Sequence, residues 1–358
     1  MAYKVFIVDD SAFMRRIIKD MLTEDKDIEV VGIAKNGKEC IEKLKDIKPD
    51  IITLDVEMPI LNGIETLEIL KQKYGEIPVL MLSSLTSEGA DLTLKALDLG
   101  AVDFITKPTN IFKINSDEKK LEIIEKIKTA SKINVKHKVD VKHKVDVNHK
   151  KDIISPKVHI KKVLDEKFSN LVAIGTSTGG PRALQEIIPY IPEDIDASIM
   201  VVQHMPPGFT KPLAKRLNSM SRINVKEAKD GEELMRGTCY IAPGDYHMTI
   251  KERYGNKYII KLDQGKSVSG HRPSVDKMME SVSQIDSLTK VAAILTGMGA
   301  DGADGIKKIK LNKGYTIAQD ESTSIVYGMP KVAVAKNAID KILPLGNIAS
   351  EIIKRVGV

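Results

Sequence analysis

Residues 135 to 152 read VKHKVD, VKHKVD, VNHKKD, a hexapeptide repeat whose only apolar side chains are valines. A stretch with so little apolar surface cannot offset the entropy of ordering its own backbone, so it reads as a linker. It divides the 358 residues into two lengths, each suited to one domain with its own core. Residues 131 to 162 hold ten Lys against three Asp, a surplus of seven, while the whole chain carries +6; everything else therefore sums to −1. The positive charge belongs to the linker, and neither flanking segment carries the basic patch or helix-turn-helix that would mark nucleic acid as a partner. His137, His143 and His149 recur every six residues, but single histidines among like-charged lysines do not close a metal site.

No window reaches the roughly 18 apolar residues of a membrane span, and MAYKVFIVDD lacks a basic end followed by a long apolar run. A cytoplasmic monomer with no membrane insertion is expected. Cys40 falls in a helical pattern and Cys239 beside a strand of the other domain, so buried thiols are expected and neither a disulfide framework nor a zinc site.

Before the linker, apolar runs alternate with helical patterns: YKVFIVDD, a helix near 12 to 24, IEVVGIA, a helix 37 to 46, DIITLD, a helix 63 to 73, PVLMLSS, a helix 88 to 99, DFITKP, then an amphipathic stretch to about 131. Five short strands separated by helices imply a doubly wound parallel sheet, whose ligand site lies at the carboxyl ends of the strands. Asp9 and Asp10 end the first strand, Asp55 the third, Ser83 the fourth and Lys107 the fifth. Carboxylates converging on one edge repel each other unless a hard cation joins them, and oxygen ligands suit magnesium. The set would hold Mg2+ beside an exposed Asp55, with Lys107 and the Ser83 hydroxyl placed to meet a phosphoryl group on it. Acids and serines also end strands because they cap the next helix, a reading that fits any one of them better than all five together.

The motifs VDDS (8 to 11), LDVEMPILNG (54 to 63), MLSSLT (81 to 86) and FITKP (104 to 108) make this segment resemble a two-component receiver domain of flavodoxin-like fold. The resemblance implies phosphoryl transfer from a chemotaxis histidine kinase to Asp55. It also implies that Asp9, Asp10 and the Glu57 carbonyl serve magnesium, and that Ser83 and Phe104 report the phosphorylated state.

After the linker the alternation resumes with NLVAIG, ASIMVVQH, CYIAP, HMTIKER, YIIKLD, KVAAILTG and YTIAQ, with helices from about 181, 208 to 219, 274 to 286 and 302 to 311 and at the C-terminus. A mostly parallel Rossmann-like sheet with an antiparallel hairpin near 246 to 262 is expected. The intended boundaries are a receiver at 1–125, a linker at 126–164 and a catalytic domain at 165–358. The turn GTSTGG raises two readings. A dinucleotide fingerprint needs glycine where Ser177 stands, and the next strand ends in Gln203 and His204 where an acid is needed, so a nucleotide is disfavoured. In a G-x-S-x-G turn, by contrast, Ser177 is an exposed nucleophile that needs a base and an orienting carboxylate. His204 at the next strand end and Asp301 in LTGMGADG converge on the same sheet edge, although the alternatives of a structural histidine and a helix cap remain for each alone. Gly179, Gly180, Gly297 and Gly299 would leave N–H groups approachable, placing Thr178 and Met298 near an oxyanion hole. His271 would shape substrate entry, and His247 would be structural.

IGTSTGG (174 to 180), VQHMPPGFT (202 to 210), YIAPGDYHM (240 to 248), HRPSVD (271 to 276), LTGMGADG (295 to 302) and TIAQDE (316 to 321) together resemble the catalytic domain of the chemotaxis receptor protein-glutamate methylesterases. Thr176 and Ala300 stand where other small or polar residues are expected. The resemblance implies hydrolysis of glutamate methyl esters on methyl-accepting chemotaxis receptors, with deamidation of receptor glutamines in some members, and a triad on Ser177, His204 and Asp301 with no cofactor. It further implies that the receiver covers the active-site mouth until phosphorylated.

Overall fold

The computed structural model describes residues 2–107, 117–133, 167–255 and 257–357. The hexapeptide repeat, with His137, His143 and His149, lies outside the described residues, as does His159.

The N-terminal unit is a five-stranded sheet of β1 (Tyr3–Val8), β2 (Ile28–Ala34), β3 (Ile51–Asp55), β4 (Val79–Ser83) and β5 (Asp103–Thr106), in the order β2-β1-β3-β4-β5 with every pair parallel. The helices α1 (Ala12–Thr23), α2 (Gly37–Lys43), α3 (Gly63–Lys73), α4 (Ser87–Asp98) and α5 (Asp117–Ser131) cover it. Val5, Phe6, Ile7 and Val8 are all buried, because a sheet covered on both faces has no solvent side. Ser11, Asn36, Asn62 and Thr86 each accept the N–H three residues on, so α1 to α4 all start from side-chain caps just beyond strand ends. Helix α5 buries Ile127 and Ala130 and so continues to Ser131, past the boundary at 125 read from the sequence.

The C-terminal unit contains, in chain order, β6 (Asn170–Thr176), α6 (Gly180–Gln185), β7 (Ala197–Gln203), α7 (Thr210–Met220), β8 (Asn224–Glu227), β9 (Thr238–Ile241), β10 (His247–Arg253), β11 (Lys257–Asp263), α8 (Val275–Ser283), β12 (Thr289–Ile294), α9 (Ala303–Leu311), β13 (Tyr315–Gln319), α10 (Met329–Ala335), β14 (Lys341–Leu343) and α11 (Leu345–Val356). Seven strands form one parallel sheet in the order β14-β13-β12-β6-β7-β9-β8, and β10 and β11 pair as a separate antiparallel hairpin. From β6 the chain runs to β7 on one side and later returns to β12 on the other. The carboxyl end of β6 is therefore the topological switch point, where an open α/β sheet forms its crevice.

One buried apolar cluster runs across both units: Leu94, Leu97 and Phe104 of the first share it with Ala183, Phe209 and Leu213 of the second. Asp98 at the end of α4 accepts a hydrogen bond from Gln185 at 2.8 Å and pairs with Arg216. The charged linker thus joins two units that pack directly against each other.

Gly175, near the end of β6, lies against Val275, a fully buried residue at the start of α8, and a methyl group on Gly175 would overlap that side chain. Gly175→Ala is expected to destabilise the C-terminal unit by about 1–3 kcal/mol. Calorimetric unfolding of the full chain checks this through a lowered midpoint.

Candidate active site

Strand register brings the expected nucleophile and the expected base onto neighbouring strand ends. The last paired residues of β6 and β7 are Thr176 and Gln203, so Ser177 and His204 are the next residues on neighbouring strands. The His204 N–H donates to the Thr176 carbonyl at 3.0 Å, while the Gln203 side-chain amide donates to the carbonyls of both Ser177 and His204 at 3.0 Å. On the other side the Ser177 N–H donates to the Thr296 carbonyl at 3.0 Å, past the end of β12. Gly179 holds a φ of 78°, which suits a residue without Cβ and turns the chain from β6 into α6. Ser177 is half-buried at this turn.

His204 is 6% exposed and Asp301 1% exposed, and their side chains meet with Nε2 2.7 Å from Oδ2. With Nε2–H donating to the carboxylate, the neutral ring carries its lone pair on Nδ1, which is buried and has no hydrogen-bond partner. The structure thus joins the predicted base and acid directly. It sets Ser177 beside them through strand register, with no hydrogen bond from its hydroxyl to His204 Nδ1.

Asp301 caps no helix of its own: α9 begins after Gly302, which makes no side-chain cap. Its Oδ1 accepts from Ser274 Oγ at 2.8 Å and from the Asp276 N–H at 3.0 Å, and its Oδ2 from the Val275 N–H at 2.7 Å. The carboxylate therefore sits on the first turn of α8, where unpaired N–H groups favour negative charge. Burial works to raise the Asp301 carboxyl, but the hydrogen bond and charge of His204, with the two N–H groups, outweigh it and hold the group down to about 2. The HRPSVD motif carries a local signal for Ser274, its N-cap position on α8 where it accepts from the Lys277 N–H, but nothing in it reveals the bond to Asp301.

The oxyanion region differs in part from expectation. The N–H groups of Gly180 and Gly297 are taken by the carbonyls of Ser177 and Val326, at 2.8 and 3.0 Å, because both glycines close turns, so neither faces a ligand. Among the described residues no main-chain carbonyl takes the N–H of Thr178 or Met298. Both residues instead meet the N-terminal unit through their side chains: Thr178 Oγ1 donates to Asp103 Oδ2 at 2.6 Å, and Thr129 Oγ1 on α5 lies 3.2 Å from Met298 Sδ. Phe104, next to Asp103, stacks on Phe209 with centroids 4.6 Å apart, and Lys126 on α5 donates to the Phe104 carbonyl at 2.9 Å. The His271 ring stacks on His204, where an entry-shaping role was expected. His247 accepts the Ser274 N–H on Nδ1 and has Nε2 3.0 Å from the Lys266 carbonyl, both bonds within its own unit.

At the carboxyl edge of the first sheet, carboxylate oxygens of Asp9, Asp10 and Asp55 lie within 4.8 Å of one another. This all-oxygen set fits a hard divalent cation such as magnesium. Asp55 is 2% exposed, not exposed as the sequence suggested, because Lys107 closes over it: Lys107 Nζ lies 2.6 Å from Asp55 and 2.8 Å from Asp9. Burial is the main cause that pushes Asp55 up to about 6; Lys107 opposes it, and Asp9 adds to it. The Glu57 side chain turns outward and accepts from Ser84 Oγ at 3.0 Å. Ser83 Oγ accepts from Thr93 Oγ1 at 2.6 Å and donates to the carbonyls of Ser84 and Gly89 at 3.2 and 3.3 Å. Phe104 is likewise turned inward and buried.

The chain matches the response regulator receiver domain family over residues 5–117 and the CheB methylesterase family over residues 172–352. A protein-glutamate methylesterase/protein-glutamine glutaminase of Pyrococcus horikoshii is 45% identical over 99% of this chain and 93% of its own length. One of Syntrophomonas wolfei is 46% identical over 98% of both. The crystal structure of the Thermotoga maritima CheB methylesterase catalytic domain aligns with a TM-score of 0.50 at 46% identity, covering 52% of this chain and 98% of that one. With a receiver fold before the linker and this serine, histidine and aspartate edge after it, the chain belongs to the CheB methylesterase family.

Proposed function

We propose that this protein is a phosphorylation-switched serine esterase that hydrolyses glutamate methyl esters on methyl-accepting chemotaxis receptors, and that the same site deamidates receptor glutamines. The observation that carries the reading is the 2.7 Å His204–Asp301 bond next to the strand end that holds Ser177. The Ser177 oxygen attacks the ester carbon while His204 Nδ1 takes its proton, and Asp301 balances the resulting imidazolium. Collapse of the tetrahedral adduct releases the alkoxide, which leaves as methanol with the proton from His204. Water then attacks the acyl-serine by the same route and frees the glutamate carboxylate. With a glutamine the leaving group is ammonia. The N–H groups of Thr178 and Met298 face the developing oxyanion, each worth on the order of 3 kcal/mol.

The receiver holds this site closed. Asp103 engages the hydroxyl of Thr178, directly after the nucleophile, and Thr129 engages Met298, so both oxyanion residues are in contact with it. Phosphorylation of Asp55 by a histidine kinase draws Ser83 away from Gly89 and Thr93, frees Phe104 to move off Phe209, and shifts the docked population toward an open one. Asp9, Asp10, Asp55 and the Glu57 carbonyl would hold magnesium, which when bound neutralises the clustered carboxylates and the incoming phosphoryl oxygens. The catalytic unit uses no cofactor in this scheme, and the protein acts as a cytoplasmic monomer.

Methanol release from methylated receptor signalling domains, with and without a small phosphodonor plus magnesium, tests the scheme. Wild type is expected to be stimulated, Ser177→Ala to lose at least about 10³-fold in kcat, and Asp55→Asn to keep only its unstimulated rate. Wild-type activity in Ser177→Ala would sink the esterase mechanism.

Asp103→Ala removes the hydrogen bond to Thr178, worth about 1 kcal/mol. Its unphosphorylated rate is expected to rise about fivefold, while the phosphorylated rate stays near wild type.

Asp55 also sets a pH dependence. Its folded value of about 6 lies above the ordinary 3.8, so the stability it contributes is present below 3.8 and lost as pH rises through 6. Magnesium relieves that loss only where Asp55 is ionised. The magnesium-induced rise in melting temperature is therefore expected to be large at pH 7.5 and to shrink through pH 6.

A further inference from the structure

His271 and His204 lie face to face, with ring centroids 3.8 Å apart and planes inclined by 14°. His204 has one side-chain hydrogen bond, at Nε2, and a ring tethered at a single atom can pivot about that bond. The segment that carries His271 is well fixed. Ser269 and Gly270 have φ values of 52° and 79°, closing a tight turn in which the N–H groups of Val268 and His271 donate to each other's carbonyls at 3.0 and 2.9 Å. Arg272 then clamps the chain, donating to Asp245 Oδ1 from Nε and Nη2 and to the carbonyls of Gln264 and Gly265 from Nη1. Two residues on, Ser274 holds Asp301. One tetrapeptide therefore presents a flat ring to the base and a hydroxyl to its carboxylate.

We propose that His271 is a positioning residue of the esterase: its stacked ring fixes the plane of His204 so that Nδ1 stays presented toward the Ser177 turn, and it closes that face of the base to water. The proposal rests on the reading of His204 as general base. The charged and titratable groups around His271 are His204 and Asp301 of its own unit and Glu122 and Lys126 of the receiver's α5. Burial, followed by the neighbouring His204, lowers the His271 ring to about 4, with Asp301 and Glu122 resisting. At neutral pH His271 therefore carries no charge, and His204 can take up the serine proton without a second cation stacked on it.

The test uses the full chain with phosphodonor and magnesium present, comparing His271→Ala, His271→Gln and His271→Phe for kcat and KM. Ala and Gln are expected to lower kcat on the order of tenfold with little change in KM, since a base held slightly out of line loses rate and not binding. Phe restores a flat ring and is expected to bring kcat back to within about threefold of wild type. The proposal fails if Ala and Gln match wild type in kcat, if only KM changes, or if Phe is as slow as Ala. Should the Ala variant not fold, the Gln and Phe pair decides by the same criteria. His204→Gln run alongside separates the two readings. If it retains activity, the assignment of the base falls and this proposal with it. If it is inactive while the His271 variants behave as wild type, only the positioning role falls.

Discussion

The site depends on one buried charge. Asp301 carries its carboxylate at 1% exposure, a placement that would be costly if any of its oxygens lacked a partner. It has four donors: Ser274 Oγ, the N–H groups of Val275 and Asp276, and His204 Nε2. Three of these belong to the first turn of α8, so the helix that packs against β6 also anchors the acid. The direction of the His204 ring then follows. Because the carboxylate engages Nε2, the ring nitrogen left without a hydrogen bond is Nδ1, and in the proposed mechanism it is this atom that takes the Ser177 proton. A change to α8, even far from the reacting atoms, acts on the base through this chain of contacts.

The parts of this arrangement that could be read from the sequence are those fixed by local period and strand ends. Runs such as YKVFIV and NLVAIGT announce strands, the residues just past them face one edge, and Ser177 and His204 become neighbours as soon as β6 and β7 are paired in register. What escaped has a common cause in contacts between segments distant in sequence. Asp301 reads from the sequence as the orienting acid, with a cap for α9 as the alternative, but that its carboxylate rests on α8, 26 residues earlier in the chain at Val275, is not legible there. His271 sits in a turn with no period, and its stacking on His204 depends on how the 268–271 turn folds back across the sheet edge. Strand β8 reads NVKE, with a single apolar residue, and β14 has only three residues, so neither shows a strand pattern. The exposure of Asp55 was misjudged for a related reason: a strand-end position is legible, but the lysine that folds over it from β5 is not.

Strand β5 carries several of the contacts between the two units, beside those made by α4 and α5. Strand β5 spans only Asp103 to Thr106, yet its first residue holds the Thr178 hydroxyl, its second stacks on Phe209, and Lys107 just beyond its end binds Asp55 and Asp9. Only three residues lie between Asp103, which touches Thr178, and Lys107, which pairs with Asp55. No long pathway is needed between them, since a stiff parallel strand moves as one body. The apolar part of the interface is continuous with both cores, which favours docking, while its polar part consists of a few hydrogen bonds and ion pairs each worth about 1 kcal/mol.

That division bears on how the switch can work. Moving a docked population from 99:1 to 1:99 takes about 5.5 kcal/mol of difference between the two states. Loss of the Asp103–Thr178 bond alone is too small for that, and so is loss of the Phe104–Phe209 stack, worth about 1 kcal/mol beyond its buried area. Because both sit on β5 next to Lys107, the proposed phosphoryl switch would act on them together: repositioning Lys107 and Ser83 would disturb both contacts and expose the apolar area under Phe104 in the same movement. In that scheme the contacts on β5 break as a unit, which yields a larger difference between the docked and open states than the loss of any single contact.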